Sequence, residues 1–175
     1  INNFFGNDWK SVSKHYPSNL KDARRDDIAN ITITCTDNIK SRIDTWNILK
    51  DIPARNHTDY STPLYWLDFG NTQSSGQVVL GTVPRRIKQP KSQIYKTVPS
   101  LKVITKMVKF SKIKDDDSGP SCSLAEALEK QDLFINSTLA QLGCNILWKM
   151  FRHGMVEHQG LYLNLNTMKV NPIMV

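Results

Sequence analysis

The stretch from Ile31 to Arg42 constrains the fold of this chain more than any other. Residues 31–35 alternate apolar side chains with threonine, which is the pattern of a buried, pleated strand. Thr36-Asp37-Asn38 then offers short polar side chains of the kind that cap a helix. Apolar residues continue at helical spacing, at Ile39, Ile43, Trp46 and Leu49. A strand that leads straight into a helix predicts an α/β fold, in which the carboxyl end of the strand faces the ligand crevice.

Four further segments have the character of strands. Residues 63–70 and 76–83 are apolar runs separated by a short polar turn, so we predict that they form an antiparallel pair. Residues 160–165 alternate apolar and polar side chains, and residues 169–175 are predicted to pair back on them. The chain should therefore build a mixed sheet.

Residues 124–152 are predicted to be mostly helical, with Ser123 and Glu126 as a capping box at the start. The helix has an unusually wide apolar face, so we predict that it is buried on most sides, in the domain core or in a subunit contact. Its central stripe follows a spacing of four, three, four and four residues, at Ile135, Leu139, Leu142, Ile146 and Met150.

Charge and cysteine content narrow the class of protein. The 175 residues carry a formal charge of +7, which favours phosphates, acidic proteins or nucleic acid as partners. The three cysteines form no C-x-x-C motif, so we expect neither zinc nor a disulfide framework, and we predict a cytoplasmic protein.

No apolar run has the length of a membrane helix. The chain begins with Ile1 rather than Met, and we expect that an N-terminal part precedes it.

Asp37 and Arg42 are the first candidate site residues. A carboxylate at the end of a strand can hold Mg²⁺, which neutralises the phosphates of a nucleotide; alternatively, Asp37 only caps the following helix. The guanidinium of Arg42 can bind phosphate or carboxylate oxygens in a forked geometry, or it can lie on a solvated helix face.

Cys122 is a candidate nucleophile because it lies in a polar loop before a helix start, where the helix dipole favours a thiolate. The alternative is an ordinary loop thiol, because three aspartates at 115–117 oppose its ionisation. Cys35 and Cys144 fall within apolar patterns and are predicted to be core residues.

The segment 84–114 contains ten Lys or Arg and no acidic residue, and we predict a long excursion over the surface. It could bind nucleic acid. However, Tyr95 and Phe110 are its only aromatic residues, too few for a platform on which bases stack. A solvated surface, or a dock for an acidic protein, is the favoured interpretation. The four histidines are scattered, and we assign them no metal.

Three motifs resemble the ThiF/MoeB/HesA family of ubiquitin-activating-enzyme-like adenylating proteins. Cys35-Thr36-Asp37-Asn38 with Arg42 is similar to that family's strand–(C/G)-T-D-N-x-x-x-R element. Gly76-Gln77-Val78 is similar to its G-Q-[VI] strand, and Pro120-Ser121-Cys122 before a long apolar helix is similar to its P-S-C segment. INNFFGNDW, YWLDFGNTQSSGQVVLG, SCSLAEALEKQDLFINSTLAQLG and GLYLNLNT resemble more closely the ThiF-related proteins of the PRTRC cassette of bacterial mobile elements.

The resemblance implies the C-terminal part of a Rossmann-like, three-layer adenylating domain with a mixed sheet. Such a domain binds Mg·ATP, adenylates the C-terminal carboxylate of a ubiquitin-like protein and forms homodimers. Asp37 would hold Mg²⁺, Asn38 and Arg42 would help to bind the nucleotide, and Cys122 is a possible thioester residue.

The resemblance also divides residues 1–175 into parts of one incomplete domain. Residues 1–83 would be the strand–helix and strand-pair part. Residues 84–122 would be the crossover segment that guides the partner's tail, and residues 123–175 would be the long helix and the last strands.

The chain departs from the family in lacking the glycine-rich nucleotide loop and the phosphate-binding residues that normally precede this part. We therefore expect ATP binding only when another part of the protein, or another chain, supplies them. The alternatives are a non-catalytic scaffold or binding module and, third, a DNA-binding protein that uses the basic segment.

Overall fold

A computed structural model describes residues 4, 6–24, 27–53, 62–83, 94–110 and 131–175. The described elements begin with a strand–helix–strand unit and end with a pair of adjacent strands. In chain order the elements are β1 (Ile31–Thr34), α1 (Ile39–Asp51), β2 (Tyr65–Asn71), β3 (Ser75–Thr82), α2 (Ile104–Met107), α3 (Ile135–His153), β4 (His158–Asn164) and β5 (Lys169–Met174).

The five strands form one mixed sheet in the order β1-β2-β3-β4-β5. The strands β1 and β2 are parallel, with Ile31 opposite Tyr65 and Thr34 opposite Asp68. Every later neighbour is antiparallel. The prediction of an α/β fold with a mixed sheet is therefore confirmed, as are the hairpin between β2 and β3 and the final pair of strands.

The long helix α3 covers one face of the sheet. Its apolar stripe packs on β2, β3 and β4, because alternate residues of those strands point to this side. The helix ends at Gly154, whose left-handed backbone (φ 69°) favours glycine. The buried members of this cluster are Leu67, Val78, Leu80, Ile135, Leu139, Ile146, Met150, Leu161 and Leu163.

The helices α1 and α2 cover the opposite face. Trp66, which neighbours Leu67 on β2, points to this side and stacks on Trp46 of α1, with ring centroids 6.0 Å apart. The ammonium of Lys106 lies 5.7 Å from the Trp46 ring, within cation–π range. The sheet therefore lies between two helical layers, each with its own buried cluster.

The burial of β1 differs from the prediction. Ile33 is 52% exposed and Cys35 is exposed, whereas Thr34 is buried. The reason is that α3 lies over β2, β3 and β4, so that, among the described residues, no helix covers the same face of β1. The predicted face of α1 is right only in part: Leu49 and Trp46 pack in the core, whereas Ile43 is 40% exposed. Arg42 and Thr45, which were not on the predicted face, are buried.

The domain core covers only one side of α3, so the prediction that the core buries it on most sides is wrong, whereas burial in a subunit contact stays a prediction. Trp148 and Phe151 are 61% and 67% exposed, and Cys144, predicted to be a core residue, is exposed. A helix that packs on one face of a sheet buries only a single stripe, so its other apolar side chains remain in contact with solvent within the part of the chain that the structure describes.

Part of the segment 84–114, which was predicted to run over the surface, contributes to the core. Val103 and Ile104 are each 1% exposed and belong to the cluster beneath α1. Phe110 packs against the same cluster, which removes one of the two aromatic residues considered for base stacking. Residues 84–93 and 111–114 of the excursion lie outside the described residues, as do Ser123, Glu126 and Cys122.

Gly160 of β4 permits the close approach of β3. A Cβ atom at this position would overlap the carbonyl oxygen of Val78 and would lie 3.1 Å from the Cα of Val79.

We expect Gly160→Ala to lower the free energy of unfolding by about 1–3 kcal/mol, because a backbone atom cannot move aside without opening the strand pair. Urea unfolding checks this. Tyr162→Phe, at a half-exposed position of the same strand, should change stability by less than about 0.5 kcal/mol. Equal stability of the Gly160→Ala and wild-type proteins would contradict the packing argument.

Asp27 anchors the N-terminal segment that precedes β1. Its nearly buried carboxylate accepts hydrogen bonds from the Lys14 ammonium at 2.5 Å and from the Arg24 backbone N–H at 3.0 Å. These contacts, the Lys14 hydrogen bond first, hold the pKa of Asp27 below its usual value.

Because the folded state lowers this pKa, Asp27 should stabilise the protein above the unfolded-state pKa of about 4, and the effect should disappear as the pH falls through the folded-state pKa. The free energies of unfolding of wild type and Asp27→Asn should therefore differ at pH 7 and converge in acid. A difference that stays constant with pH would contradict this role. Asp8→Asn, at an exposed carboxylate, is the control.

Candidate functional site

The turn between β1 and α1 lies at the carboxyl end of the two parallel strands. Asn38 is the N-cap of α1, and its Oδ1 accepts the Ser41 N–H at 2.8 Å. Asp37 does not cap the helix, so that interpretation is wrong; its carboxylate accepts a hydrogen bond of 2.9 Å from the Asn38 side-chain amide. Asp37 is exposed, as a ligand-binding carboxylate must be.

The guanidinium of Arg42 lies inside the molecule, against the last residues of β2. Its Nε donates to both oxygens of Asp68, at 3.1 and 3.3 Å, and the Arg42 side chain is 9% exposed. Its Nη2 donates to the carbonyl oxygens of Thr36 and Phe69, and its Nη1 reaches the Asn38 carbonyl oxygen at 3.4 Å. Arg42 therefore joins the β1–α1 turn to β2 through one side chain.

Two further side chains complete this buried network. The Thr34 hydroxyl donates to Asp68 Oδ1 at 2.7 Å, and the indole N–H of Trp66 donates to the Thr34 oxygen at 2.8 Å. Gly70 leaves the space that the guanidinium occupies, because a Cβ atom there would lie 2.8 Å from Arg42 Nη2. The network thus links β1, α1 and β2 beneath the exposed turn.

Burial dominates the electrostatics of the network. It raises the pKa of Asp68 above the ordinary carboxyl value, and the charge of Arg42 and the hydrogen bonds from Thr34 and Arg42 offset that effect only in part. Partial desolvation of the sulfur, together with the nearby charge of Asp68, raises the pKa of the Cys35 thiol, and the charge of Arg42 offsets this only in part. Cys35 is therefore predominantly a neutral thiol near pH 7, which does not suit a nucleophile.

Among the described residues, no group of three or more His, Cys, Asp or Glu side chains could hold a metal ion. Mg²⁺ does not need a group of three such side chains, since it commonly binds one or two carboxylates together with phosphate oxygens and water. The exposed carboxylate of Asp37 fits that mode. The structure places Asn38 and Arg42 in contact through the Asn38 carbonyl, whereas Cys122 lies outside the described residues.

Asp68 is the residue that the sequence analysis missed. The signal was present, because a carboxylate inside the apolar run Tyr65-Trp66-Leu67-Asp68-Phe69 is almost never buried without a partner. Which cation would pair with it could not be identified from the sequence, since Arg42 is 26 residues earlier.

Comparison with known proteins leaves the family open. A scan against protein-family models finds no match for this chain, and a search of the curated proteins finds no significant relative. In the part of the chain that the structure describes, no helix has the length and apolar character needed to cross a membrane.

We expect Arg42→Ala to lower the free energy of unfolding by about 3–5 kcal/mol, because it leaves the Asp68 carboxylate buried without its charged partner. The matched control is Lys40→Ala on the same helix. This substitution removes the ion pair between Lys40 and Asp44, in which the lysine side chain is 76% exposed. The free energy of unfolding should therefore fall by less than about 0.5 kcal/mol. Chemical denaturation measures both. Equal effects of the two substitutions would contradict a central role for the buried pair.

Proposed function

We propose that this chain forms part of an ATP-dependent adenylating domain that acts on the C-terminal carboxylate of a ubiquitin-like protein. The proposal combines the motifs shared with the ThiF/MoeB/HesA family and one structural observation. That observation is the parallel β1–α1–β2 unit, which positions Asp37 and Asn38 beyond the carboxyl end of β1. In open α/β sheets this position borders the ligand crevice.

In this proposal Asp37 holds Mg²⁺ beside the phosphates of ATP, and Asn38 fixes the Asp37 carboxylate through its side-chain amide. When bound, Mg²⁺ would supply charge neutralisation of the phosphates. The partner's carboxylate would bond to the α-phosphorus of ATP, and pyrophosphate would leave. Arg42 acts as a positioning residue, since its charge is paired with Asp68 and its other contacts hold the turn. The glycine-rich nucleotide loop comes from the rest of the full-length protein or from another chain.

Two other parts of the proposal concern protein contacts. The segment 84–122 guides the tail of the ubiquitin-like partner, with Cys122 as a candidate thioester residue. The exposed apolar side of α3, with Trp148 and Phe151, is the candidate surface for homodimerisation. Neither role alters the part assigned to Asp37.

Binding of Mg·ATP to the full-length protein tests the proposal without knowledge of the partner. We expect wild type to bind in isothermal titration calorimetry, and Asp37→Ala to weaken Mg·ATP binding by at least tenfold while leaving the melting temperature unchanged. With the cognate partner, ATP–pyrophosphate exchange should fall by about 10²–10³-fold, the range for removal of one preorganised electrostatic group.

Asp44→Ala is the matched control, because Asp44 is a carboxylate on α1 that pairs with Lys40 on the helix surface. It should leave Mg·ATP binding and exchange unchanged. If Asp37→Ala also leaves both unchanged, the role of Asp37 is wrong. If wild type does not bind Mg·ATP, the adenylation proposal fails and a non-catalytic scaffold becomes the better interpretation.

A further inference from the structure

The helix α3 carries a second apolar stripe besides the one that packs on the sheet. Its members follow one another at intervals of three, four, three and four residues, at Ser137, Ala140, Cys144, Leu147 and Phe151. Residues at this spacing lie along one side of a helix, as in the seam of a coiled coil. Leu147 is partly buried and the other four are exposed, so this seam faces solvent within the part of the chain that the structure describes.

The seam points away from the sheet. With 3.6 residues per turn, its centre lies roughly 120° around the helix from the buried stripe of Leu139, Ile146 and Met150. The core that holds the buried stripe therefore cannot also cover the seam. A second helix laid against this flank would contact α3 without displacing it from β2, β3 and β4.

The seam is uncharged and graded in size. No Asp, Glu, Lys or Arg occurs in residues 133–148. The first three seam residues are small, whereas Leu147 and Phe151 are large, and Trp148 beside them is 61% exposed. An antiparallel pair of such helices places Phe151 against Ala140 and Leu147 against Cys144 of the other copy. A parallel pair would place large on large and small on small, which leaves voids along the small half.

We propose that a second copy of this chain covers the seam, by antiparallel packing of the two α3 helices about a two-fold axis between Cys144 and Leu147. The inference rests on the homodimerisation proposed above and identifies its contact. A two-fold contact joins the same patch on both subunits, so the patch must complement itself. The seam does so, because its small half matches its own large half. The antiparallel direction also brings opposite ends of the two helix dipoles together.

Sedimentation equilibrium of the 175-residue chain tests the proposal by exchanging the sizes of two facing positions. We expect a monomer–dimer equilibrium for wild type. Ala140→Phe and Phe151→Ala should each raise the dimer dissociation constant by about tenfold or more, the first through overcrowding and the second through lost contact. The double variant Ala140→Phe/Phe151→Ala should return to within about threefold of wild type, because a large side chain again faces a small one.

Asn145→Ala, at an exposed position on another side of α3, is the matched control and should leave the dissociation constant unchanged. Ala140 and Phe151 are exposed in the single chain, so both variants should fold, which circular dichroism and thermal unfolding check. The proposal is overturned if wild type remains monomeric, if the double variant is no tighter than the single ones, or if Ala140→Phe strengthens association. A monomer that binds Mg·ATP would overturn only this inference, and a dimer that does not bind Mg·ATP would overturn only the adenylation proposal.

Discussion

The buried ion pair between Arg42 and Asp68 is the interaction on which the strand–helix–strand unit depends. An arginine on a helix and an aspartate on a strand are both removed from water, so each would be strongly destabilising without the other. The pairing leaves the remaining guanidinium hydrogens to bind backbone carbonyls at both sides of the turn. One side chain thereby fixes how the end of β1, the start of α1 and the end of β2 lie together.

The same arrangement places the residues that hold the fold and the residues that face solvent at different depths. Arg42 and Asp68 lie beneath the turn, whereas Asp37 lies on its surface, tied to the Asn38 amide. The exposed carboxylate of Asp37 is thus supported from beneath by the Arg42–Asp68 pair, which is buried.

Local pattern was enough to predict most of the elements but not their exposure. The strand–helix unit, the hairpin of β2 and β3, the helix after residue 135 and the last two strands all follow from spacing and turn residues. Ile33, Cys35 and Cys144 were assigned to the core because they occur in apolar patterns. A pattern defines two faces of an element, but which face is covered depends on where a distant helix packs.

The sequence by itself determined the class of fold, the position of Asp37 and Asn38 after a strand, and the stripe by which α3 packs. These depend on residues close together in the chain, whose backbone preferences and periodicity act locally. Only the tertiary structure decided that Asn38 rather than Asp37 caps α1 and that Arg42 faces inward to Asp68. Those outcomes depend on groups far apart in the chain, which desolvation and charge pairing bring together only when the sheet and helices pack.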